Sequence, residues 1–176
     1  MKAVYAGTFD PFTIGHENIL TQALPFFSEI IIAVGVNPEK PNSLFSVDQR
    51  LSFIRTVANH YEVTAEHKIN YGKFDITGPH GMYLVEYAEE MEAEYIIRGL
   101  RSVADFEYEL SMMKVNRRIS PKIQTMFFVT EFGEVSSSLV RGMIGPTSWP
   151  SRVKSYIPEP MWDTFLRVCS MKGLVP

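Results

Sequence analysis

The sequence predicts an open, doubly wound α/β fold, a five-stranded parallel sheet with helices on both faces. Short apolar runs alternate with longer segments of helical period, the pattern of βα units. The run Ile30–Val36 holds no polar residue, as in a strand covered on both faces. Glycines, hydroxyls and cations gather just past several of these runs, where open α/β sheets bind ligands.

The elements follow in order. Ala3–Ala6 is the first strand, and Gly15 to about Phe26 the first helix. Ile30–Val36 is the second strand. Ser46 opens the next helix, with Gln49 completing a capping box and Leu51, Ile54 and Val57 forming its apolar stripe. Val63–Tyr71 is read as the third strand and Met82–Met91 as a helix. Tyr95–Ile97 is the fourth strand, Val103–Ile119 a long helix and Ile123–Val129 the last strand. Ser137–Ile144 and Glu159–Val168 complete the helices. The 176 residues are expected to form one domain, 1–176, with a helical tail from about 145.

At 45% hydrophobic residues the chain can fill such a core. The net charge of −3 gives no general attraction to nucleic acid, so a few local cations must hold any polyanion. Cys169 is the only cysteine, which excludes an internal disulfide and cysteine-based zinc clusters. The opening residues are interrupted too soon for a signal peptide, and no segment reaches transmembrane length. A soluble cytoplasmic protein is expected.

Four crossings are expected to face one crevice, after Ala6, Val36, Ile97 and Val129. The first, Gly7-Thr8-Phe9-Asp10-Pro11-Phe12-Thr13-Ile14-Gly15-His16, offers close backbone approach, a hydroxyl, and a histidine at a helix start whose N–H groups favour anions. Gly15 would leave room for a phosphate beside the imidazole. A lone Gly-His pair is more often a turn with a capped histidine; the whole segment after a strand favours the anion site. The second crossing contributes Lys40, a phosphate clamp or a solvated loop charge.

The third crossing sets Arg98 and Arg101 around Gly99 and Leu100, with Ser102 and Asp105 capping the next helix. Guanidinium forks suit phosphate oxygens, and a strand-end Arg98 would point elsewhere than a helix-start Arg101. The fourth holds Ser136, Ser137 and Ser138, which supply cap acceptors and anion donors. His60, His67 and His80 lack metal-ligand spacing, and the carboxylates of Glu86, Glu89, Glu90, Glu92 and Glu94 read as a solvated face.

With these residues in view, the sequence resembles a known family. Gly7–Pro11 with Thr13–His16 is similar to the nucleotidyltransferase signature and its Thr/His-x-Gly-His box. Arg98–Glu109 closely resembles the segment typical of bacterial phosphopantetheine adenylyltransferases, and Ser136–Ser138 their third, ATP-contacting motif. The resemblance implies that Thr8, Lys40, Leu84 and Arg98 hold 4′-phosphopantetheine. It implies that Thr8, Phe9, His16, Gly99, Leu100, Arg101, Glu109 and the stretch Phe132, Gly133, Glu134, Val135, Ser136, Ser137 and Ser138 hold ATP. It also implies His16 as transition-state stabiliser assisted by Thr8, Lys40 and Arg98, a magnesium requirement with no protein side chain as ligand, coenzyme A as a product-like ligand, and a homohexamer. The segments Tyr71–Tyr83 and Gly142–Lys154 depart from the family pattern and are expected to reshape the acceptor entrance or subunit contacts.

Two rival readings stay open. One is a sister transferase acting on nicotinamide mononucleotide or a polyol phosphate, against which the Arg98–Glu109 block argues. The other is a non-catalytic nucleotide-binding regulator, against which His16, Lys40 and both arginines argue. An aminoacyl-tRNA synthetase also carries a Gly-His box, but this chain is too short for the tRNA-binding parts.

Overall fold

In the computed structural model, which describes residues 1–36, 43–65, 68–76 and 81–175, five strands form a single parallel sheet in the order β3-β2-β1-β4-β5. The strands are β1 (Lys2–Gly7), β2 (Glu29–Val36), β3 (Lys68–Asp75), β4 (Tyr95–Leu100) and β5 (Gln124–Val129). The chain works outward from β1 to β3, then returns to lay β4 on the free side of β1. The connections leaving β1 and β4 therefore diverge to opposite faces, and a crevice opens between them at the carboxyl edge.

Strand alternation divides the core in two. Ala3, Tyr5, Ile30, Ile32, Val34 and Ile97 face one layer, and Val4, Ala6, Ile31, Ala33 and Ile96 the other. The first layer is covered by α1 (Ile14–Ala23), α2 (Val47–Ala65) and the C-terminal helices α5 (Ser137–Met143), α6 (Trp149–Val153) and α7 (Trp162–Met171). Phe45, Phe53, Phe165 and Trp149 form an aromatic cluster there. Trp149 Nε1 also donates to the Leu174 carbonyl at 2.7 Å. The second layer is covered by α3 (Leu84–Glu90), while α4 (Val103–Ile119) sets Phe106 edge-on against Phe127 of β5 and contributes no buried residue.

Several expected boundaries move. The first helix ends at Ala23, and Leu24–Phe26 continues as a 3-10 turn in which Pro25 has no N–H to extend the α ladder. The segment Val63–Ala65, read as strand for its β-branched residues, is the last turn of α2; β3 begins only at Lys68. β4 runs three residues past Ile97, because its ladder with β5 continues through Arg98↔Phe127, Gly99↔Phe128 and Leu100↔Val129. Within the atypical 142–154 segment, Trp149 and Val153 are core residues. The caps are as expected: Ser46 and Gln49 exchange both capping-box hydrogen bonds, and Ser102 Oγ accepts from Asp105 N at 3.1 Å.

Candidate active site

β1 ends at Gly7 because the chain folds back on itself. A Cβ on Gly7 would lie 2.8 Å from the Phe9 ring, so no larger residue fits. Phe9 takes a left-handed backbone (φ 49°), a conformation that costs about 1–2 kcal/mol for an L-residue. Burial of the ring against Tyr5, Phe12 and His16 offsets that strain. The Phe9 side chain is thus committed to the core and only its main chain is left to face the crevice, whereas Thr8 beside it is exposed.

Buried Thr13 caps α1 and fixes the state of His16. The Thr13 main-chain N–H donates to Nδ1 at 3.0 Å, and the Thr13 hydroxyl lies 2.9 Å from the same nitrogen. A main-chain N–H can only donate, so Nδ1 carries its lone pair and the ring proton resides on Nε2. Burial of the ring, and secondarily the Arg101 cation, lower the histidine pKa from 6.5 to about 4. His16 is therefore a neutral hydrogen-bond donor at physiological pH. A Cβ built at Gly15 would lie in ordinary van der Waals contact with the carbonyls of Phe132 and Val135, at 3.7 Å, so α1 packs against that loop at this position.

The third crossing brings Arg98 and Arg101 to the same edge with different partners. Arg98 lies inside β4 and reaches α4, where Nε donates to Glu109 Oε2 at 2.7 Å and Nη2 to Oε1. Its Nη1 donates to the Ala6 carbonyl at 3.1 Å. Arg101 is exposed and pairs with Asp105 at 3.0 Å, while its charge is felt at His16. Gly99 makes room for α1, since a Cβ there would meet Ile19 at 3.0 Å. Leu100 is buried, and its carbonyl accepts from Thr130 N at 3.0 Å.

The fourth crossing is drawn against α1. Asn18 Oδ1 accepts from Glu131 N at 3.1 Å, and Gln22 donates to the Val129 carbonyl at 3.0 Å. Gly133 passes under the Arg101 carbonyl, which a Cβ would approach to 3.1 Å. Val135 is buried, Phe132 half-buried, and Glu134 exposed. The serines divide their work. Ser136 caps α5 by accepting from Leu139 N, Ser137 donates to the Pro11 carbonyl at 2.8 Å, and Ser138 accepts from Arg141. His16, Thr8, Arg98, Arg101 and the 132–138 stretch thus share one edge of the sheet. Leu84 opens α3 just past β3 and packs on the second core layer. Lys40, His67 and His80 lie outside the described residues.

Sequence reasoning missed the residues that hold these segments together. Asp10 is 2% exposed, and its carboxylate accepts from Leu44 N at 2.9 Å and Phe45 N at 2.8 Å. Arg141 lies 3.5 Å from that carboxylate and also donates to the Asp10 carbonyl. Buried Arg50 donates to the Thr8 carbonyl at 2.9 Å. A signal for Arg50 existed: it lies in helical phase with Phe53, Ile54 and Val57, the buried face of α2.

Comparison with known proteins agrees with this architecture. Residues 4–143 match the cytidylyltransferase-like family model. The chain is 40% identical over 171 residues to the phosphopantetheine adenylyltransferase of Chromobacterium violaceum, covering 96% of this chain and 98% of that protein. It is 43% identical over 142 residues to the protein of that name from Geobacter metallireducens, covering 79% of each. Among solved structures, the nicotinic acid mononucleotide adenylyltransferase of Plasmodium falciparum shares the fold, with a TM-score of 0.67 over 98% of this chain and 97% of that one at 17% identity. With the match spanning nearly the whole chain and the signature segments at one sheet edge, the chain belongs to the phosphopantetheine adenylyltransferase family of cytidylyltransferase-like proteins.

Proposed function

We propose that this protein transfers the adenylyl group of ATP to 4′-phosphopantetheine, giving dephospho-coenzyme A and pyrophosphate. The observation that carries the reaction type is His16, a neutral imidazole whose Nε2 proton is free to be donated because Thr13 holds Nδ1. The acceptor is carried by the 40% identity to a protein of that name over 96% of the chain.

No protein nucleophile is needed. An oxygen of the acceptor phosphate attacks the α-phosphorus of ATP, the bond to the β-bridging oxygen breaks, and pyrophosphate leaves with the electron pair. The protein aligns the two phosphates and answers the charge that grows on the α-phosphoryl oxygens. His16 donates to one of those oxygens from Nε2. Arg101, Gly99, Leu100 and the 132–138 stretch hold the nucleotide. Thr8, Lys40 and Arg98 orient the acceptor phosphate, and Leu84 borders its pantetheine arm. The crevice carboxylates Asp10, Asp105 and Glu109 are each held by arginines or main-chain N–H groups, so the residues fit magnesium arriving as the ATP complex, where it screens the triphosphate.

We further read the protein as a cytoplasmic homo-oligomer, a hexamer by resemblance, with neither nucleic acid nor a membrane as partner and with coenzyme A as a product-like ligand. Support for assembly comes from α4, where Val103, Phe106, Tyr108, Met112, Val115 and Ile119 are each at least 38% exposed. No described helix is long and apolar enough to cross a membrane. Pyrophosphate release from ATP and magnesium, measured with phosphopantetheine, nicotinic acid mononucleotide and polyol phosphates as acceptors, tests the proposal. Turnover with phosphopantetheine alone supports it; preference for another acceptor, or no pyrophosphate at all, overturns it.

A further inference from the structure

We infer that Arg50 is a positioning residue for the phosphates: it holds the Thr8 carbonyl on the α2 side of the first crossing and so turns the Phe9 main-chain N–H toward the crevice. The inference rests on the proposed function in one respect, that the end of β1 faces the phosphates of ATP.

The capping box of Ser46 and Gln49 sets the start of α2, and Arg50 follows in its first turn. Arg50 shares the buried face of that helix with Phe53, Ile54 and Val57, so its side chain runs inward, and the residue is 5% exposed. Nη1 donates to the Thr8 carbonyl at 2.9 Å, and Nε to the Ser46 carbonyl at 3.4 Å. Among the described residues Arg50 forms no ion pair. The Asp10 charge is felt there, but the Asp10 carboxylate is engaged by Leu44 N and Phe45 N. A buried cation thus stands beneath the turn.

The peptide joining Thr8 to Phe9 is trans, so its C=O and N–H point to opposite sides of the chain. The carbonyl is drawn toward α2, which packs over β2 and β3. The Phe9 N–H therefore points the other way, to the side of β1 on which β4 lies and the crevice opens. It has no acceptor among the described residues, and it adjoins exposed Thr8. Held so, it is a preorganised donor to a phosphate oxygen. A flipped peptide would set the N–H against the guanidinium donors and the carbonyl against the phosphate. Arg50 excludes that orientation.

The test combines ATP binding with kinetics. In protein carrying isotope-labelled phenylalanine, ATP and magnesium without acceptor should move the Phe9 amide proton downfield, and in Arg50→Met that response should disappear. Arg50→Met should also lower kcat/KM for ATP about tenfold, short of the about hundredfold for a donor removed outright, in protein still folded by circular dichroism. Arg50→Lys, which keeps the charge and one donor, should recover about threefold of that loss. Val57→Ala, on the same buried face of α2, is the control for lost stability. It should lower the urea midpoint yet keep kcat/KM for ATP within about twofold. If Arg50→Met fails to fold, Arg50→Gln, whose amide ends at the position of the arginine Nε, reports the same loss. An unmoved Phe9 amide in the wild type, or a kcat/KM for ATP in the Arg50 variant no lower than in Val57→Ala, overturns the inference. Failure of the proposed acceptor looks different: ATP moves the Phe9 amide, but phosphopantetheine releases no pyrophosphate.

Discussion

Acidification should expose the state of His16. Its pKa falls from 6.5 in the unfolded chain to about 4 in the folded protein, chiefly through burial. Between those values the unfolded chain binds a proton that the folded protein refuses, so stability drops as pH falls. The loss begins below about 6.5, is complete below about 4, and reaches about 3 kcal/mol. Other groups titrate in the same range, so the measure is the difference between wild type and His16→Gln in urea unfolding free energy, taken from pH 7.5 to 4. That difference should shrink in favour of the variant across the window, and the imidazole should show no NMR titration above pH 5. Arg101→Gln should raise the histidine pKa while leaving it below 6.5, because burial, the larger cause, remains. A His16 titrating near 6.5, with a pH-independent difference, would refute the neutral, Nε2-protonated donor.

Three further outcomes are expected. His16→Ala should lower turnover by about two to three powers of ten, the 2.7–4 kcal/mol typical of one lost transition-state donor, with ATP binding close to normal by calorimetry; near-normal turnover removes His16 from the mechanism. Asp10→Asn sets an amide N–H2 against the main-chain N–H of Leu44 or Phe45 and leaves Arg141 without its counter-charge, so it should cost about 3 kcal/mol in denaturant unfolding. A loss below about 0.5 kcal/mol would show that the clamp is dispensable. Arg98→Lys should raise the KM for phosphopantetheine selectively and Arg101→Lys that for ATP, which varying each substrate in turn decides; if both impair the same substrate alone, the division is wrong.

What could be read in the sequence was local. The α4 bounds were legible because Ser102 supplies a cap and no breaker intervenes before Ser120 and Pro121. The ends of α2 and β4 were not, because Val63 and Thr64 carry strand preference and Arg98-Gly99 carries turn chemistry, and packing decided both against local preference. The crossings and their order were visible as glycines, hydroxyls and cations after apolar runs. The Arg98–Glu109 pair was not, since it joins strand to helix across 11 residues. Nor was the buried charge of Asp10, which reads as an ordinary turn residue until Phe45, 35 positions away, donates to it.

The fit of Phe9 over Gly7 bears on how this segment can vary. The ring fills the volume that any side chain at position 7 needs, and it is held there by a left-handed residue. Positions 7 and 9 are thus expected to covary: a side chain can enter at 7 only if the ring at 9 is given up. Once the ring is gone, nothing offsets the backbone strain, so glycine becomes the favoured residue at 9. A library randomised at both positions and selected for folded protein should therefore return glycine at 7 with an aromatic at 9, or a small side chain at 7 with glycine at 9. Mixed pairs should be rare, and changing either position singly should fail where changing both succeeds.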